Sequence, residues 1–157
     1  MTTNEMKATN PAITVRPATA ADRAVLGRML LGDLTERGHG GGAQGAEAIE
    51  RVVEIALSAG STVWVLIALR HGLMPSGVLV ANPFLSTRRG GPALRVDTVY
   101  VAPEARRRGV GRALLAHAAA EARGYGLSVV EVELPSGSEA GAALCRAVGV
   151  TAVADGA

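Results

Sequence analysis

The densest chemistry in this sequence lies at residues 99–115, Val-Tyr-Val-Ala-Pro-Glu-Ala-Arg-Arg-Arg-Gly-Val-Gly-Arg-Ala-Leu-Leu. Arg106, Arg107, Arg108 and Arg112 set four cations around Gly109 and Gly111. Glycines let a chain turn tightly and let a ligand approach the main chain. The apolar run from Arg112 onward reads as a helix, whose first turn presents unpaired N–H groups and the positive end of its dipole. Strand, glycine loop and helix start together make a cradle for phosphate. A solvated basic run over an ordinary turn is the competing reading. Three arginines directly before the glycines, and a proline just after the strand, weigh against it. Elsewhere, candidate groups are sparse: the carboxylates Asp97, Glu131 and Glu133, the single thiol Cys145, and His39, read as an idle exposed histidine. No group of Cys and His has metal-ligand spacing, so no metal is expected.

The elements that must position these groups follow from periodicity. Residues 1–11 are polar and expected to be disordered. Ile13 to Arg16 alternate as a short strand that stops at Pro17. Thr19 with Asp22 three positions on marks a helix start, and the spacing predicts a helix over 20–37. Residues 38–45, Gly-His-Gly-Gly-Gly-Ala-Gln-Gly, predict a loop, followed by a helix over 46–59 that Gly60 ends. A buried strand is expected over 61–69, a turn over 70–76 and a strand over 77–81, making an antiparallel hairpin. A loop is expected over 82–92, then a strand over 93–101 that feeds the arginine–glycine stretch. The helix after Gly109 ends at Gly124 and Gly126. A strand over 127–134 comes next, and a right-handed crossover lays it parallel to 93–101. Ser138 caps a short helix ended by Gly149, and 150–153 adds one brief strand.

Composition bounds the function. The chain has 157 residues, enough for one domain with a real core, and 48% of them are apolar. A formal charge of +2 and 3% aromatic residues disfavour nucleic-acid binding. One cysteine excludes an internal disulfide and fits a reducing cytosol, so a cytoplasmic location is expected. No apolar run has the length of a membrane span, and no signal pattern opens the chain. Without G-x-x-x-x-G-K-[ST], a nucleotide-phosphate loop of that kind is not indicated.

The order of elements and the motif resemble the GNAT-type N-acetyltransferases. Arg106-Arg107-Arg108-Gly109-Val110-Gly111, preceded by Val101-Ala102-Pro103, fits that family's signature, and the likeness covers most of the chain. The resemblance implies an α/β (α+β) fold in one domain, 1–157. Its central sheet would be mixed and mostly antiparallel, with one splayed parallel strand pair and helices on both faces. It also implies acetyl-CoA as co-substrate, an amine acceptor, and no metal, nucleic acid or membrane. N–H groups from Arg107 to Arg112 would hold the pyrophosphate, with Arg106 beside them. Main chain at Val99, Tyr100 and Val101 would pair with the pantetheine arm. In the family's later motif, Ser138 takes an asparagine position that faces the coenzyme, and Cys145 takes the place of a tyrosine that commonly protonates the departing thiolate or contacts the coenzyme. Eight residues follow Gly149 where the family normally adds two strands, so shortened C-terminal strands and an open sheet edge are expected, and with them a homodimer.

Two functions remain open at this point: direct acetyl transfer to an amine, or an acyl-CoA-binding or sensing module with weak catalysis. For transfer, Asp97 is the candidate base, since alternation along 93–101 puts Asp97, Val99 and Val101 on one face. Its alternative role is a salt bridge with Arg95 or another arginine. Glu131 and Glu133 are weaker candidates. Cys145 is the candidate acid, against the plainer reading of a packed core thiol.

Overall fold

The computed structural model describes residues 12–39 and 42–154, so the expectation for residues 1–11 lies outside the described residues. Strands β1 (Ile13–Pro17), β2 (Trp64–Arg70), β3 (Met74–Ser86), β4 (Gly91–Val101), β5 (Val130–Leu134) and β6 (Thr151–Ala154) form one six-stranded sheet in sequence order. Neighbours from β1 to β4 pair antiparallel, whereas β4–β5 and β5–β6 pair parallel. This is the mixed sheet that the sequence predicts.

Helices cover both faces. α1 (Arg23–Glu36) follows a 3-10 turn at Ala20–Asp22, and α2 (Gly42–Ala56) packs on it. α3 (Val110–Gly124) and α4 (Glu139–Val148) follow β4 and β5. Gly32 of α1 meets the Tyr100 ring: a Cβ there would stand 2.7 Å from the phenol oxygen. Gly111 of α3 meets Val101 and Val99 instead, at 3.6 and 4.0 Å. Successive strand residues point to opposite faces, so α1 and α3 sandwich the sheet. Leu26, Leu79, Leu94, Leu114 and Val96 are buried in the core between these layers. Apolar burial at roughly 25 cal/mol per Å² makes them the main stabilising contribution.

Several boundaries differ from expectation. β3 runs on to Ser86 and β4 begins at Gly91, so the expected 82–92 loop shrinks to a turn. Pro83 is tolerated for a specific reason. β2 pairs with β3 only as far as Trp64↔Ala81, so beyond that point β3 has an open side. The Leu94 N–H donates to Val129 O at 2.9 Å, so Leu94 faces β5, and Pro83 opposite it turns its nitrogen to the open side. α2 begins at Gly42 within the expected 38–45 loop and ends at Ala56. Each glycine costs about 0.8–1 kcal/mol in a helix, and packing of α2 on α1 overrides that preference. The strands expected over 61–69 and 127–134 start later, at Trp64 and Val130.

Candidate functional site

β4 and β5 pair at only three positions, Leu94↔Val130, Arg95↔Glu131 and Val96↔Val132. Past Val96 the strands part, and a cleft of about 710 Å³ opens between them. Val99, Tyr100 and Val101 form one wall, Val132, Glu133 and Leu134 the other. The Ala102 N–H donates to Ser76 O at 2.9 Å, which sets the phase of the β3–β4 ladder. By alternation Val99 and Val101 turn their main-chain groups away from β3, into the gap. A strand edge in a cleft has unpaired donors and acceptors for a ligand that lies alongside it.

The arginine–glycine stretch closes one end of this cleft. Arg107 has φ +64° and Gly109 has φ +84°, both left-handed. The glycine adopts this freely, while the arginine bears strain of the kind that concentrates at ligand clamps. The first ladder bond of α3 runs from Ala113 N–H to Gly109 O at 3.0 Å, so the N–H groups of Val110, Gly111 and Arg112 have no helical acceptor. Arg106, Arg107 and Arg112 line the cleft with Gly109 and Gly111, whereas Arg108 does not. No ion pair is found for Arg107 or Arg112 among the described residues, so both charges are available to an anion.

The candidate carboxylate lies differently from the expected pattern. Val80 pairs with Thr98 and Ala81 with Val96, so Asp97 is the extra residue of a bulge. The bulge shifts the alternation by one position. Asp97 Oδ2 accepts from Asn82 Nδ2 at 2.6 Å, on the face that Asn82 shares with Arg95 and Phe84. Asp97 therefore does not share a face with Val99 and Val101: it points to the α1 side and they point to α3. Nor does it pair with Arg95. That guanidinium donates to the buried Glu131 at 2.7 Å, lies 3.8 Å from Glu133, and stacks 4.7 Å from the Phe84 centroid. Asp97 stands where β4 loses its β5 partner, at the rim of the gap.

Ser138 and Cys145 both line the cleft from α4. Ser138 caps the helix, its Oγ accepting the Gly141 N–H at 3.3 Å. Cys145 is a free thiol, 1% exposed, and burial pushes its pKa up, with Arg146 opposing. The thiol is therefore neutral at physiological pH and packed in the core cluster.

Sequence reasoning missed the third wall. Asp33, Glu36 and Arg37, in the last turn of α1 and just after it, also line the cleft. Burial raises the Asp33 pKa, offset by Arg37 at 3.1 Å. Glu36 is held below the ordinary carboxylate range, chiefly by its hydrogen bond with Arg106. Tyr100 is raised, by burial first and by Glu36 next. Nothing in the local sequence ties Glu36 to an arginine 70 positions on. The only hint is acidic residues closing a helix directly before a glycine run.

Comparisons with known proteins bear on the fold and the family. No curated protein matches the chain. A structure described as a probable acetyltransferase superposes with a TM-score of 0.76 at 21% identity, covering 87% of this chain and 88% of that one. A candidate acetyltransferase from Arthrobacter sp. FB24 is 29% identical, with a TM-score of 0.69 over 88% of this chain and 85% of that one. A ribosomal-protein-alanine N-acetyltransferase from Brucella melitensis biovar Abortus 2308 gives 0.66 at 20% identity, over 93% and 96%. The model of the acetyltransferase (GNAT) family matches residues 55–149, from the end of α2 to the end of α4. A splayed strand pair, unpaired N–H groups at a helix start and a family match over most of the chain converge: this chain belongs to the GNAT family of acetyltransferases.

Proposed function

We propose that the protein is an N-acetyltransferase that moves an acetyl group from acetyl-CoA to a primary amine by direct attack in a ternary complex. The carrying observation is the β4–β5 gap, where pairing stops at Val96↔Val132 and the Val99 and Val101 main chain is turned into the opening. The residues present fit the coenzyme. Main chain at Val99 and Val101 is placed to receive an extended amide-bearing arm, while the Tyr100 main chain, expected to join them, faces β3 in the ladder. N–H groups from Arg107 to Arg112, with the free Arg107 and Arg112 side chains, suit a pyrophosphate. Ser138 and Leu144 flank the arm from α4.

Acetyl-CoA supplies the acyl group as a thioester. The chain must then remove a proton from the ammonium and favour the developing oxyanion. In this reading Asp97 takes the proton, directly or through one water, and Asn82 Nδ2 orients its carboxylate. The bulge aims Asp97 to the face opposite α3, so the amine approaches from the α1 side while the cofactor lies in the gap. Cys145 stands at the acid position with a neutral thiol. The protein works in a reducing cytosol, as a homodimer through an open sheet edge, without a metal.

A second reading, an acyl-CoA-binding module with weak catalysis, draws on Cys145 itself. A thiol packed in the core is a poor proton donor. Calorimetry with coenzyme A, followed by an amine-panel turnover assay, separates the two. Transfer predicts binding and acetylated product, whereas the module predicts binding without turnover. Gly111→Val should weaken binding about tenfold or more. Its Cβ meets only ordinary contacts, 3.5 Å at the nearest, so the fold survives while the branched side chain fills the cleft. Equal affinity for wild type and Gly111→Val would displace the cradle.

A further inference from the structure

Arg106 does something that a phosphate-binding arginine has no need to do. Its Nε–H donates to Val101 O at 2.9 Å, and its Nη2 donates to both carboxylate oxygens of Glu36, at 2.8 and 2.7 Å. Its guanidinium lies 5.6 Å from the Tyr100 ring centroid. Glu36 ends α1 and Arg106 follows β4, so the contact joins two walls of the cleft. Val101 O belongs to the strand edge exposed in the gap, and the Arg106 side chain already engages it. Its charge, too, is already matched by Glu36, unlike the charges of Arg107 and Arg112 in the same cleft. The partners are 44% and 47% exposed, so the pair can open at small cost.

We propose that Glu36 and Arg106 form a latch across the cofactor gap, closed in this structure, which opens as the pantetheine arm takes over the Val101 edge. Opening hands Val101 O to the ligand and frees the Arg106 guanidinium for the pyrophosphate. The latch rests on the reading that this gap receives acyl-CoA. Glu36 then works against binding, by holding Arg106 on Glu36 and Val101. A scaffold role has the opposite sign: there Glu36 fixes the loop in its binding shape, and losing it weakens binding.

The test is calorimetry of the full chain with coenzyme A, for wild type, Glu36→Gln and Glu36→Asp, at low and at high salt. Glu36→Gln keeps the shape and removes the charge, and its half-exposed site at a helix end leaves the fold intact. The latch predicts roughly two- to fivefold tighter binding for Glu36→Gln at low salt, the range of an exposed ion pair. Glu36→Asp, with a shorter reach, should fall between the other two. The ratio between variant and wild type should shrink at high salt, because screening already weakens the pair. Equal or weaker binding by Glu36→Gln, with wild type binding normally, overturns the latch alone. A wild type that does not bind coenzyme A overturns the cofactor reading and the latch with it.

Discussion

Asp97 carries the chemical reading at the scale of single residues, and one substitution tests it. Asp97→Asn keeps the Asn82 contact and removes the base, so kcat should fall roughly 10²–10⁴-fold, the usual contribution of a positioned acid–base group. The KM for acetyl-CoA should stay within about threefold, because Asp97 lies off the face that carries Val99 and Val101. A fully active Asp97→Asn enzyme would remove it as the base. Cys145→Ala should leave the rate within a few-fold and cost about 1–2 kcal/mol of stability, as emptying a buried position does. A dead but folded Cys145→Ala enzyme would make the thiol catalytic. The sequence identified Asp97 as a candidate yet misjudged its direction. Val96-Asp97-Thr98 looks like regular alternation, and only the pairing partner across the ladder reveals an inserted residue. Arg106 was legible as a charge and not as the partner of Glu36, because Glu36 lies 70 positions away in sequence.

At the scale of elements, the start of α1 is the clearest link from sequence to energy. Thr19 and Asp22 predict a cap, and the structure forms it: Thr19 N–H donates to Asp22 Oδ2 at 2.8 Å. Arg16 at the end of β1 adds two more bonds to that carboxylate, at 2.7 and 3.0 Å. The Arg16 hydrogen bonds hold the Asp22 pKa at about 2, against an ordinary 3.8, in a side chain only 11% exposed. A carboxyl depressed by folding stabilises the fold in full above its unfolded pKa and loses that contribution as pH falls through the folded one. Asp22 should thus contribute about 2 kcal/mol above about pH 4, fading toward pH 2. Urea unfolding of Asp22→Asn should show that deficit at neutral pH and little difference from wild type near pH 2. A constant deficit across the range would assign the effect to packing. Capping residues are legible because they act within a few positions. The extension of β3 through Pro83 was not, since it depends on where β2 stops pairing.

Among the described residues the sheet has open outer strands, and β6, with four residues, has a neighbour on one side only. Unpaired edges invite a second chain, so light scattering at micromolar concentration should give the dimer mass. A monomer there and at higher concentration would count against it. The parting of β4 from β5 has a further consequence for this architecture. Within the sheet, only three register pairs join the antiparallel half, β1–β4, to the parallel half, β5–β6. The junction is a seam in the sheet, and the segment carrying β5, α4 and β6 is expected to open more readily than the antiparallel half. A ligand lying along the seam bridges both halves and becomes structural reinforcement. At a hundred times its dissociation constant it should add about 2.7 kcal/mol to global stability. Amide hydrogen exchange should therefore be faster in β5 and β6 than in β2 and β3, and coenzyme A should slow it on both banks of the seam, at Val99 and Val101 and at Val132 to Leu134. Protection confined to one bank would mean that the two half-sheets move independently even when the site is loaded.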